Sequence, residues 1–214
     1  MANGKGLFCD ADGTEYSGNW VNDQLNGLGK EKLLNGAVYE GNFVEGEKTG
    51  RGKFNWEDGS YYEGEFLNSL LHGKGFYKFS DGRSYDGDWV NNKLNGKGIF
   101  KWPNGNFYNG GFKNDMKEGF GIFSSSDKVY EGNWVNGKAH GKGKLSDNNG
   151  KTITGTWRFG KLIKKDGGQD LVVSGQDNEK ESLEKNNIET PNNNTDIKAI
   201  SSRKSGLQNS QSQL

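Results

Sequence analysis

The sequence predicts an all-β chain: a single-sheet antiparallel β-hairpin solenoid of about seven 23-residue repeats, followed by a polar tail. Three observations predict it. A motif of the form aromatic-x-Gly-x-aromatic returns as YSGNW at Tyr16, YEGNF at Tyr39, YEGEF at Tyr62, YDGDW at Tyr85, YNGGF at Tyr108, YEGNW at Tyr130 and, with Ile in first place, ITGTW at Ile153. The spacings are 23, 23, 23, 23, 22 and 23 residues. Aromatics reach 12% in a chain only 30% hydrophobic, and 35 Gly stand against 2 Pro, so rings and glycines carry the folding.

Each repeat is counted from its Tyr as position 1. Positions 1, 3 and 5 alternate with period 2, so Tyr, Gly and the second ring share one face of a strand. Glu63 and Glu65, between them, face the other way. Gly73-x-Gly75 and Gly96-x-Gly98, each running on into further aromatics, mark a second strand at positions 12 to 18. Gly4-Lys5-Gly6 is the same strand from a half repeat at the start. Asp58-Gly59, Asp81-Gly82 and Asn104-Gly105 are turn dipeptides, since Gly takes positive φ at little cost. The segment Asn91 to Asn95 reads as a polar loop joining the two strands. The favoured register pairs position 5 with 14 and 3 with 16, setting Trp89 opposite Gly98 and Gly87 opposite Phe100, so that a ring covers each bare Gly. No isolated hairpin is stable in water, so the repeats must stack on one another. Residues 4–165 form this repeat domain, and 166–214, rich in Asn, Ser, Gln, Lys and Glu and without aromatics, read as a disordered tail.

Chemistry is hard to find. His72 and His140 both occupy position 11, three repeats apart, too far to share a metal. Cys9 is the lone cysteine, which excludes an intramolecular disulfide and fits a reducing, cytoplasmic compartment. The Gly-Lys-Gly pairs lack the Gly-x-x-x-x-Gly-Lys-Ser/Thr of a phosphate loop. Lys74, Lys97 and Lys142 recur at position 13 beside the acids Glu63, Glu65, Asp86 and Asp88, which neutralise them in adjacent strands. With 28 basic and 28 acidic residues the chain has no field to steer nucleic acid. No catalytic residue, cofactor or metal is expected. The aromatic stripe of Tyr39, Phe43, Tyr62, Phe66, Tyr85, Trp89, Tyr108, Phe112, Tyr130 and Trp134 is mostly core. One face of a single-layer sheet lacks a covering layer, so part of that stripe is expected to remain as a partner-binding groove for helical or extended protein segments.

Tyr-x-Gly-x-Trp followed by Gly-x-Gly every 23 residues resembles the MORN (membrane occupation and recognition nexus) repeat family over about residues 4–162. The resemblance implies a non-catalytic scaffold or adaptor, in a cytoskeletal or ciliary axonemal assembly. It also implies a homodimer through the terminal repeat, at Ile153, Trp157 and Phe159, where the rings are expected to be exposed. An alternative it carries is a peripheral membrane protein recognising phosphoinositides; zero net charge and the lack of a polybasic patch count against that.

Overall fold

The computed structural model describes residues 1–167. It contains fifteen strands and, among the described residues, no helix: β1 Gly4–Cys9, β2 Glu15–Val21, β3 Gln24–Lys32, β4 Val38–Val44, β5 Glu47–Asn55, β6 Tyr61–Leu67, β7 Leu70–Lys78, β8 Ser84–Val90, β9 Lys93–Lys101, β10 Phe107–Lys113, β11 Met116–Ser124, β12 Lys128–Val135, β13 Lys138–Asp147, β14 Thr152–Arg158 and β15 Lys161–Lys165. Sheet order is chain order. The strands fall into two compact units. The first holds β1 to β7 and residues Asp88–Asn92; the second holds Arg83–Gly87 and β9 to β15. The polar tail read from the sequence lies, from residue 168 on, outside the described residues.

The hairpins form where the alternation predicts them, but their register differs from expectation. In β6–β7, Tyr62 pairs with Tyr77, Gly64 with Gly75 and Phe66 with Leu71. Position 1 thus faces 16, 3 faces 14 and 5 faces 10. The same holds in β10–β11, with Tyr108 on Phe123 and Gly110 on Gly121. Gly87 likewise meets Gly98, not Phe100: a Cβ placed on it would lie 2.5 Å from the Gly98 Cα. Glycine therefore faces glycine and ring faces ring. The physical reason is that the glycine pairs of the Tyr39, Tyr62, Tyr85, Tyr108 and Tyr130 repeats are covered by that tyrosine from its own strand. The Tyr62 ring lies down across Gly64 and Gly75, and its hydroxyl donates to the Glu65 carbonyl at 2.9 Å. A Cβ on Gly64 would sit 2.5 Å from that hydroxyl and 2.5 Å from the Gly75 Cα. The ring repairs two bare positions at once, which a cross-strand partner could not do.

The expected polar loop is also replaced. Asn91 and Asn92, at φ 49° and 65°, form a two-residue turn with both residues left-handed, and β9 begins at Lys93. Positive φ at both central residues is the type I′ hairpin, whose twist suits the flanking strands. Asn68-Ser69 and Asn114-Asp115 repeat it. The turns at the opposite end follow expectation: Gly59 at φ 82° closes onto the Trp56 carbonyl, and Asp58 Oδ1 accepts from the Ser60 amide at 3.1 Å. The repeat of 22 residues absorbs its missing residue at this end, where the Ser125 amide donates directly to the Lys128 carbonyl.

Successive repeats are joined by backbone as well as by rings. The Asn92 amide donates to the Leu71 carbonyl, while Asn92 Oδ1 accepts from the Leu71 amide at 2.8 Å. Asp115 makes the same two bonds to Leu94 in the second unit. The I′ turn of one repeat is thus clipped to position 10 of the repeat before it.

Candidate interaction surface

The aromatic stripe is core along its whole length. Tyr39, Phe43, Tyr62, Phe66, Tyr85, Trp89, Tyr108, Phe112, Tyr130 and Trp134 are all buried, none more than 4% exposed. They stack edge to face. Tyr62 meets Phe66 of its own repeat at 5.2 Å and Trp89 of the next at 5.4 Å. In the second unit Tyr108 meets Phe112 at 5.1 Å and Trp134 at 5.2 Å. Such pairs add roughly 0.5–1.5 kcal/mol each beyond area burial. Trp89 Nε1 also donates to the Gly75 carbonyl at 3.0 Å, and Trp134 Nε1 to that of Gly121 at 3.1 Å. The face is closed by the second-strand aromatics at positions 16 and 18 (Phe54, Trp56, Tyr77, Phe79, Phe100, Trp102) and, beyond the expected stripe, by position 10 (Leu25, Leu71, Leu94), all buried. The stripe rings present almost no surface of their own to a partner.

The accessible side chains lie on the outward face, at positions 2, 4 and 6 of the first strand and 13, 15 and 17 of the second. In the first unit Val21, Val44, Leu67 and Val90, all at position 6, form a recurring aliphatic series 41–52% exposed. Position 13 carries Leu28 and Lys74 there, and Phe120 and Lys142 in the second unit. The outward face is also where the charges cancel. Lys74 pairs with Asp88 at 2.5 Å, Lys30 with Glu40 at 2.7 Å and Lys142 with Asp166 at 2.7 Å. This neutralisation of position 13 by position 4 of the following repeat agrees with expectation for Lys74.

Two buried lysines were not foreseen. At position 10, where other repeats place Leu, the second repeat has Lys48, 1% exposed and 2.5 Å from Glu31, which is equally buried. Glu31 itself occupies a position 16 that elsewhere holds Tyr, Phe or Leu, and pairs across the strand with Tyr39. The fifth repeat has Lys117, 2% exposed and surrounded by rings, its Nζ 5.2 Å from the Trp102 centroid and 5.5 Å from that of Trp134. Burial pulls its pKa down to about 7. The signal was legible as charge at an apolar repeat position.

At the end of the second unit, Ile153 is partly covered and Trp157 is 1% exposed, which corrects the expectation of an exposed Trp157. It is sealed by Tyr130 at 5.2 Å and by Leu162 of β15, a strand that forms without the Gly-x-Gly pattern. Phe159 is 53% exposed, sits at φ 48° and packs against His140 at 5.0 Å. The Nδ1 atoms of His72 and His140 are buried without a hydrogen-bond partner among the described residues. Among those residues no three of His, Cys, Asp or Glu gather as a metal site. No described helix is long and apolar enough to cross a membrane.

A family model described as MORN repeat matches residues 16–38, 39–61, 62–82, 85–107, 108–128 and 130–152, more than half of the chain. No curated protein matches. Among solved structures the chain is similar to the TCP domain of Drosophila melanogaster SAS-4 (dCPAP) in complex with a proline-rich motif of Ana2 (dSTIL), at 14% identity over 71% of this chain and 78% of that one, TM-score 0.41. It is similar to the TCP10c domain of Drosophila melanogaster Sas-4 at 16% identity, over 71% and 92% of the two chains, TM-score 0.34. The G-box domain of the microcephaly protein CPAP gives 14% identity, 72% and 100% coverage and a TM-score of 0.28.

Proposed function

Because the chain belongs to the MORN-repeat family, we propose that it is a non-catalytic scaffold that binds protein partners through the outward side chains of its repeats, within a cytoskeletal or ciliary assembly. The cellular setting rests on the family resemblance alone. The observation that supports binding is the aliphatic series Val21, Val44, Leu67 and Val90, exposed at one repeat position above a core of interlocked rings. A rigid core with recurring apolar side chains in solvent suits a repeat surface that docks a partner. The aromatic stripe serves this surface by holding it in register.

The test is affinity capture from cells of the intact chain and of a Val44→Glu/Leu67→Glu double variant. Both positions are solvent-facing, so the variant should keep its thermal midpoint and lose its partners. Equal recovery of partners by both forms, or a chain that stays free in every fraction, would sink the reading. Flotation with phosphoinositide vesicles at physiological salt is the companion measurement. Binding there would favour a lipid-recognising role over the protein scaffold.

Self-association through the last repeat is proposed with Phe159 as its contact. A bulky ring at positive φ is costly, and other repeats place Asn or Glu at that turn position. Sedimentation of wild type and Phe159→Asn decides it: a dimer that persists unchanged in the variant contradicts the assignment.

A further inference from the structure

Charge is balanced over the whole chain and uneven along it. Residues 138–165, from β13 through β15, hold eight lysines and arginines against one acid, Asp147. Cross-strand pairing sorts these cations by face. Lys142 is opposite Thr156, and Thr156 opposite Lys164; Lys144 is opposite Thr154, Ser146 opposite Thr152 and Arg158 opposite Lys161. Directly opposed residues share a face, as do residues two apart on one strand. Five cations, Lys142, Lys144, Arg158, Lys161 and Lys164, therefore stand on the outward side around the file of Thr152, Thr154 and Thr156, while Leu145, Trp157 and Leu162 are buried on the other. Two acids answer them there: Asp166, just after β15, and Glu131 of β12, opposite Lys144. Five cations against two acids leave three positive charges in excess.

Asp166 shows what this face takes. Its amide donates to the Thr154 carbonyl at 2.9 Å, which keeps the backbone beside β14 for one more residue. Its carboxylate accepts from Lys142 Nζ at 2.7 Å. That bond first, then the charge of Lys142, the Thr154 hydroxyl and the charge of Lys164, hold its pKa below the ordinary carboxylate value. The named rows offer ammonium groups and hydroxyls and contain no ring. They lack the aromatic platforms on which bases stack and the apolar side chains that enter a bilayer.

The complementary charge lies further along the same chain, outside the described residues. Asp170 to Glu189 holds six acids and two lysines, and Asp177, Glu179 and Glu181 stand at every second place. An extended chain carries such residues on one side, about 6.8 Å apart, which is the spacing of Lys142 from Lys144 on β13. Nine residues separate Gly167 from Asp177. They can reach up to ~30 Å, and three strands measure about 10 Å across. We propose that the outward face of β13 to β15 is the docking site of the acidic stretch Asp177–Glu181 of the same chain, whose three carboxylates meet the cations left over beside Asp166. The stretch then supplies in cis the anions that this face selects.

Carbodiimide coupling, which joins amines to carboxylates in contact, tests this on the intact chain with mass spectrometry of the joined peptides. The Lys142–Asp166 contact is the internal control. Links from Lys144, Lys161 or Lys164 to Asp177, Glu179 or Glu181 are expected. Their yield should fall at least tenfold in about 1 M salt, where the screening length is about 3 Å. Lys144→Glu/Arg158→Glu, both exposed positions, should keep the thermal midpoint and the control link and lose the links from Lys161 and Lys164. Should that variant not fold, the salt dependence in wild type decides alone. The control link without any link to the stretch overturns the proposal. So does a yield unmoved by salt. In an equal mixture of isotope-labelled and unlabelled chains, links that join one to the other would assign the face to a second copy and overturn it as well. Wild type that floats with phosphoinositide vesicles, where Lys144→Glu/Arg158→Glu does not, would give the face to a lipid instead.

Discussion

Lys117 shows what a single residue does to the energetics. Its amine is buried among rings without a carboxylate, and burial pulls its pKa down to about 7 from the ordinary value of 10.5. Between those values the unfolded chain binds the proton and the folded chain does not. Stability should therefore climb as pH rises from about 7 towards 10, by a few kcal/mol at most, and be flat in this respect below 7. Above 10 the buried tyrosines act in the opposite sense. Burial raises the pKa of Tyr62 and Tyr108, so the unfolded phenols ionise first and stability falls. Urea unfolding across pH 6 to 10 is the measurement. Lys117→Leu, which restores the residue found at this position in other repeats, should raise the midpoint at pH 6 and abolish the climb. The glycine pairs are the other residue-scale constraint. Gly75→Ala drives a methyl into the Tyr62 ring and should cost about 1–3 kcal/mol by overpacking. That glycine and ring recur together was plain in the sequence. That the ring covers a facing pair from its own strand was not, because period-2 alternation fixes which side chains share a face and leaves the cross-strand offset open.

The hairpin is the next level, and the offset there is set by the I′ turn. Two left-handed residues, Asn68 and Ser69, bring position 6 opposite 9 and so position 5 opposite 10. A longer loop at Asn91 to Asn95 was the natural reading of a polar run, yet Leu94 in its midst is fully buried. One apolar residue in five is too weak a signal to place a turn. The Glu31–Lys48 pair tests how far a hairpin tolerates departure from its pattern. Lys48→Ala alone leaves a buried carboxylate unpaired and should cost on the order of 3–5 kcal/mol. Replacing both members by the residues usual at their positions, Glu31→Phe with Lys48→Leu, should recover that loss or exceed wild type. Chemical denaturation of wild type and the two variants reads the difference directly, and a double variant weaker than the single one would refute the account.

For the molecule as a whole, stability is shared among neighbours. Each I′ turn is bonded to the repeat before it, and each position 1 ring is closed by position 5 of the repeat after it. Removing residues 151 onward takes Trp157 from Tyr130 and the Gly160 amide from the Ala139 carbonyl. The shortened chain should unfold at a lower midpoint with a smaller m-value, and deletion back to residue 129 should lower both again. Repeat number, spacing and family were legible from the recurring motif alone. The surface was less so, because burial of the aromatic stripe depends on positions 10, 16 and 18, whose identities vary from Leu to Trp to Lys.

The two ends of each hairpin are unequal in a way that bears on how such chains change length. The Asn-rich bend is clipped to the preceding copy by its amide, and at Asn92 and Asp115 by its side chain as well, so an extra residue there would unfasten two copies at once. The glycine bend closes on its own backbone, although Asn148 Nδ2 also donates to the Ser126 carbonyl of the copy before, and at Ser126-Asp127 it already runs one residue short without disturbing the strands beside it. Insertions, tags and evolutionary drift in loop length should therefore collect on the glycine side, while gain or loss on the Asn side should proceed only by whole copies.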